Sequence, residues 1–158
     1  MSAVRYIRRA TEADVAALGE LYRGTIEGVN SRDYNEAQVS VWAERSRRTE
    51  SLLKRIEEQY FLVAEEDAML TGFGSITATG FLDMLFVHRD HQGKGIANAL
   101  VDMLESYAVR HDAPMLTADV SVTARPFFEK KGFEVLREQQ VEIDAVSLTN
   151  FKMQKSLY

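Results

Sequence analysis

The stretch Leu85-Phe86-Val87-His88-Arg89-Asp90-His91-Gln92-Gly93-Lys94-Gly95-Ile96-Ala97-Asn98-Ala99-Leu100 decides how this chain folds. An apolar run ends in a polar turn, and the turn passes through a Gly-x-Gly step into an amphipathic helix. The first turn of a helix carries N–H groups without intrahelical acceptors and the positive end of the helix dipole. Glycine lets a ligand approach such a backbone closely. Gly93 to Asn98 is therefore expected to hold a phosphate of a cofactor or substrate.

The elements on either side follow from hydrophobic period. Val4 to Arg8 alternates as a first strand. Thr11-Glu12-Ala13-Asp14 signals a helix start capped by Thr11, and Val15, Leu18, Leu21, Tyr22 and Ile26 form its apolar stripe. Gly28 to Asp33 interrupts the chain. Glu36 to Arg45 predicts a second helix with Val39 and Trp42 on its buried side, and Glu50 to Glu58 a third. Tyr60 to Ala64 and Leu70 to Ile76 read as a hairpin across Glu65-Glu66-Asp67-Ala68. A third strand run follows Gly80, from Phe81 to Val87. The helix after the glycine step places Ile96, Leu100, Met103, Leu104 and Tyr107 on one side. Met115 to Val120 predicts a strand and Thr123 to Lys131 a short helix ended by Gly132. Phe133 to Ile143 and Asn150 to Met153 predict the last two strands. The order β-ααα-ββ-β-α-β-α-β-β predicts an α/β (α+β) fold, a mixed sheet with helices on both faces.

The 158 residues, 46% of them hydrophobic, suit one domain spanning 1–158. With no cysteine in the chain, disulfides, thiolate metal sites and a cysteine nucleophile are excluded, and a reducing, cytoplasmic setting is expected. His88, His91 and His111 lack zinc-ligand spacing, so no metal is expected. No apolar run approaches the ~18 residues of a membrane span. The N-terminal Met-Ser-Ala-Val-Arg-Tyr-Ile-Arg-Arg lacks the apolar core of a signal peptide. A formal net charge of -5 argues against a nucleic-acid partner. Arg45, Arg47 and Arg48 read as a solvated helix end.

Three phosphate motifs compete for the glycine step. A P-loop needs Gly-Lys followed by Ser or Thr, whereas Gly95 follows Lys94 here. A dinucleotide fingerprint needs a third glycine where Asn98 stands, and it belongs on the first strand of its unit. The pattern Q/R-x-x-G-x-G/A is matched in full by Gln92, Gly95 and Ala97. At these residues the chain resembles the GNAT superfamily of acyl-CoA-dependent N-acetyltransferases. Strand and helix order agree over nearly the whole chain, and Ala124 to Phe133 looks like the family's closing motif. Tyr34-Asn35-Glu36-Ala37-Gln38 with Trp42, and Leu148-Thr149-Asn150-Phe151, resemble a bacterial subgroup of unassigned substrate.

The resemblance implies a mostly antiparallel sheet of six to seven strands and acetyl-CoA as acyl donor. It implies that the backbone of Gly93, Lys94, Gly95, Ile96, Ala97 and Asn98 binds the CoA pyrophosphate. The pantetheine arm would pair with the strand carrying Leu85, Phe86 and Val87, which must then splay from Met115 to Val120. Acyl transfer needs a base for the amine, donors for the oxyanion and help for the leaving sulfur. Asp83 is the candidate base. It interrupts an apolar strand, and alternation puts it on the face of Phe81, Leu85 and Val87, where burial would raise its pKa. The competing reading is a structural Asp paired with an arginine. Phe128 stands where the family usually carries a tyrosine aimed at the CoA sulfur, so the usual general acid is missing, although Phe128 can pack on pantetheine. The hydroxyl of Ser121 contacts CoA or caps a helix; for Thr123 the cap is preferred. His88 reads as a surface histidine near the phosphate site. Tyr34 is a candidate substrate contact, and Trp42 reads as core. The expected partner is a small-molecule amine, and sheet edges near the C-terminus offer a homodimer surface. The alternatives are a non-catalytic acyl-CoA sensor, or a transferase acting on a protein or tRNA-linked amine.

Overall fold

The computed structural model describes residues 5–158. The strands are β1 Arg5–Arg9, β2 Tyr60–Glu66, β3 Met69–Ile76, β4 Phe81–Val87, β5 Met115–Ser121, β6 Glu134–Ile143 and β7 Val146–Ser156. The helices are α1 Val15–Gly28, α2 Glu36–Glu44, α3 Thr49–Glu58, α4 Ile96–Arg110 and α5 Arg125–Lys130. The seven strands form one sheet in the order β1-β2-β3-β4-β5-β7-β6. Every neighbouring pair is antiparallel except β4 and β5. The first strand was expected from Val4, which lies outside the described residues.

Helices α1 to α3 cover one face of the sheet. Leu18, Leu21 and Ile26 pack there with Phe61, Val63 and Phe73. Helix α4 covers the other face, where Leu100 and Leu104 pack with Leu62, Ile76 and Leu116. A Cβ on Gly72 of β3 would stand 2.8 Å from Ile96 Cγ2. Glycine at that point lets the start of α4 close onto the sheet. This docking sets which arc of α4 is buried: Val101 and Ala108 are inside, whereas Met103, expected on the stripe, is 38% exposed.

Local signals set several boundaries. Asn35 Oδ1 accepts from the Gln38 N–H at 2.9 Å, and Gln38 Oε1 accepts from the Asn35 N–H at 2.8 Å, a reciprocal cap that starts α2. Asp14 likewise accepts from the Thr11 N–H at 2.8 Å. Strand β7 is far longer than the expected Asn150 to Met153. It begins just after Asp144 and Ala145, whose φ values of 47° and 66° make a tight hairpin turn. No glycine marks that turn.

Two irregularities in β4 build the site. First, β4 pairs with β5 only at Phe81 with Thr117 and Leu82 with Ala118. Beyond Leu82 the two parallel strands part, as the resemblance implied, and the edge of Asp83–Val87 facing β5 has no strand partner. Second, Ser75 faces Met84 while Ile76 faces Leu82, so Asp83 is the extra residue of a β-bulge. The bulge overturns the expected alternation. Leu82, Leu85 and Val87 pack toward α4, and Met84 and Phe86 pack toward α1. Asp83 turns to the α3 side, away from Leu85 and Val87, where it meets Arg55.

Candidate active site

The opening between β4 and β5 is a cleft of about 350 Å³. At its glycine end the chain turns through Gly93 (φ 73°) and Gly95 (φ 81°), and Gly95 leads into α4. A Cβ at either glycine would point into open space. The first bond of the helix runs from the Ala99 N–H to the Gly95 carbonyl at 3.0 Å. The six N–H groups of Gly93 to Asn98 thus have no acceptor among the described residues. Gln92 holds the loop in place by donating its amide to the Val87 carbonyl at 2.7 Å. Lys131 Nζ donates to Asn98 Oδ1 at 2.8 Å and pairs with Asp102 at 2.6 Å, which puts a cation beside the cradle. His88 Nδ1 accepts from the Asp90 N–H at 3.0 Å within the turn. His91 also lines the cleft, and burial is the main reason its pKa lies below the ordinary 6.5.

The walls of the cleft include Leu85, Phe86 and Val87 from β4 and Ser121 and Phe128 from the far side. Phe128 is buried, edge-on to Phe127 and Phe133, and brings no hydroxyl to the cleft. Of the two hydroxyls nearby, Ser121 takes the capping alternative of its two readings, and Thr123 departs from its own. Ser121 Oγ accepts from the Ala124 N–H at 3.0 Å and caps the turn before α5. Thr123, preferred as the cap, has a buried Oγ1 with no partner among the described residues, and it lines the cleft.

A second cavity of about 220 Å³ opens against the first. Trp42, Asp83, Phe86, Asp119 and Ser121 line both. Trp42 is half-buried at the junction rather than sealed in the core. Tyr34 lines the second cavity, but its hydroxyl donates to the Thr149 carbonyl at 2.6 Å and accepts from the Val122 N–H at 2.9 Å. Tyr34 therefore ties α2's entry to β5 and β7 and offers the cavity mainly its ring. Burial, first, pushes its phenol pKa above 10.0.

Asp83 stands where the cavities meet. Arg55 Nε donates to its Oδ2 at 2.7 Å and Gln59 Nε2 donates to the same oxygen at 2.8 Å. No described residue donates to Oδ1. The arginine pair foreseen as the structural role is present, and it occupies one oxygen only. Arg55, Gln59 and Asp119 carried no sequence motif. Arg55 lies 28 positions from Asp83, so no local spacing connects the two. Arg45 departs from its reading as a solvated helix end: its Nε is buried without a partner, and it lines the second cavity.

Residues 30–155 match the family model of the acetyltransferase (GNAT) domain. The chain is 34% identical to the N-acetyltransferase YafP of Escherichia coli K12 over 149 residues, 93% of each protein. A GCN5-related N-acetyltransferase from Rhodopseudomonas palustris superposes with a TM-score of 0.93 at 31% identity, covering 99% of both chains. The PaiA N-acetyltransferase of Thermoplasma acidophilum, solved in complex with coenzyme A, shares the fold with a TM-score of 0.78 at 23% identity over 99% of both chains. The chain belongs to the GNAT family of N-acetyltransferases, whose members act on amine substrates. Among the described residues no helix is long and apolar enough to cross a membrane.

Proposed function

We propose that this chain transfers the acetyl group of acetyl-CoA directly to a primary amine while both are bound. The observation that carries this reading is the continuity of the site. The cleft runs from six unpaired N–H groups, past an unpaired strand edge, to Asp83, where the second cavity opens. A pyrophosphate matches the cradle, because it is a multiply charged acceptor and the cradle holds only donors. The pantetheine amides match the free edge of β4, and the thioester then lies near Asp83.

The chemistry follows from the groups present. The amine nitrogen bonds to the thioester carbonyl carbon, and the C–S bond breaks with its electron pair on sulfur. The amine proton passes to Asp83 Oδ1, directly or through one water, since Asp is a methylene shorter than Glu. Unpaired N–H groups on the β4 edge stabilise the oxyanion. The CoA thiolate leaves without a protein acid at Phe128, which its pKa of ~8.5 permits. Bound acetyl-CoA supplies the acyl group; the protein supplies position, the base and exclusion of water.

The test is thiol release from acetyl-CoA across a varied amine library, with CoA affinity measured separately by calorimetry. Release of one CoA per acetylated amine supports the transferase. Tight acetyl-CoA binding without release from any amine identifies a sensor instead.

A further inference from the structure

We infer that the acceptor is a small amine carrying a carboxylate, held through that carboxylate by Arg45. This deepens the transferase reading above and rests on it.

The second cavity has an unbalanced set of charges. Four ionised side chains line it: Arg45, Arg55, Asp83 and Asp119. Three have partners. Arg55 pairs with Asp83 at 2.7 Å, and Asp119 pairs with Lys152 Nζ at 3.5 Å. Arg45 has no carboxylate partner among the described residues, and its Nε is buried with no acceptor. Its neighbours on the chain behave differently: Arg47 reaches Glu44 at the surface at 3.2 Å, and Arg48 is exposed. A guanidinium cannot escape burial by losing its proton at any ordinary pH. Leaving one of its donors dry and unpaired is unfavourable. An anion entering the cavity would give this guanidinium the counter-charge that no described carboxylate supplies.

Electrostatics supports the placement. The Tyr22 phenol beside this cavity is pushed above 10.0 mainly by burial, and the Arg45 charge opposes that rise. Arg55 and the exposed Arg48 oppose it as well, so the cations around this cavity act on Tyr22 together.

Geometry selects the anion. A carboxylate matches the planar fork of one guanidinium. The same fork fits a phosphate, but a dianion would leave one charge unmatched because Arg55 is already engaged by Asp83. The same cavity also presents Asp119 and the undonated Oδ1 of Asp83, carboxylate oxygens that suit an ammonium. An unpaired cation and free carboxylate oxygens lining one cavity of about 220 Å³ suit a zwitterion. Binding by the carboxylate directs the amine toward Asp83 and the thioester.

The experiment compares matched acceptors in the thiol-release assay. The L-amino acids, β-alanine and γ-aminobutyrate are each set against the decarboxylated amine, with phosphoethanolamine as the phosphate arm. Wild-type protein is expected to prefer the carboxylated member of at least one pair by about 30-fold in kcat/KM, chiefly through KM. Arg45→Met should bring that ratio to within about threefold of one, and Arg45→Lys should restore part of it. Calorimetry with acetyl-CoA on each variant reports whether the cofactor site is intact. A ratio near one in wild type, a preference for phosphoethanolamine, or a ratio unchanged in Arg45→Met overturns the acceptor assignment alone. Absence of turnover with every amine overturns the transferase reading and this assignment with it.

Discussion

The two cavities that meet at Asp83 are made of different material. The glycine end of the larger cleft is backbone: six consecutive N–H groups presented by one turn and the start of α4. The second cavity is side chain, drawn from α1, α2, α3, β4, β5, β6 and β7 and from the turn that holds Arg45. A backbone site needs only that glycines permit the turn and that a helix starts there. A side-chain site needs distant parts of the chain to converge. Under the proposed function the first site would hold the acyl donor and the second the amine that is modified.

That contrast predicts a ranked set of outcomes. Gly95→Glu should have the largest effect. Its side chain enters the open space of the cradle, places a negative charge against the pyrophosphate, and strains a residue at φ 81°. Acetyl-CoA affinity by calorimetry should fall by about 10³-fold or more, equivalent to about 4 kcal/mol. Wild-type affinity would move the phosphate elsewhere. Asp83→Asn acts at the junction. It should lower kcat/KM by about 10²-fold with CoA affinity within about twofold of wild type. A parallel loss of CoA affinity would recast Asp83 as an architectural residue paired with Arg55.

Gln92→Ala removes one tie between the loop and the end of β4. A single hydrogen bond of about 1 kcal/mol corresponds to roughly fivefold weaker CoA binding. No change would mean that the glycine turn holds itself.

Arg8→Met lies away from both cavities and should have the smallest effect on turnover per folded molecule. Arg8 donates to Asp14 at 2.8 and 2.9 Å and to Glu65 at 2.9 Å. Its hydrogen bonds, first, hold the Asp14 carboxyl below its ordinary 3.8. A depressed carboxylate pKa contributes stability above the unfolded value and loses it as pH falls through the folded value. Urea titration should therefore show about 2 kcal/mol lost in the variant near neutral pH. The gap between the two proteins should shrink below about pH 4. A gap that persists undiminished in acid would assign the loss to packing of the arginine stem.

The element order, the mixed sheet and the parting of β4 from β5 were legible because each rests on hydrophobic period or on the family pattern at Gln92 to Ala97. The turn at Asp144-Ala145 was not. It adopts the left-handed backbone without glycine, as Asp67-Ala68 does, but charged residues at Glu65 and Glu66 flag only the earlier one. Alternation failed at Asp83 for a different reason. A β-bulge inserts one residue into the count, and pairing with β3, not local sequence, places it. Arg45 was read with Arg47 and Arg48 as one cluster because they are adjacent in sequence. Burial separates them.

Taken alone, the order of residues determined the layering of the fold and the position of the glycine turn that opens α4. Both depend on short-range rules: which residues face inward, and where the backbone turns through glycine. Tertiary structure alone decided that Arg55 and Gln59 grip one oxygen of Asp83, that Thr123 and not Ser121 keeps a hydroxyl without a partner, and that Arg45 faces a cavity. Those are meetings of side chains across long stretches of chain, and their geometry exists only once the helices have docked on the sheet.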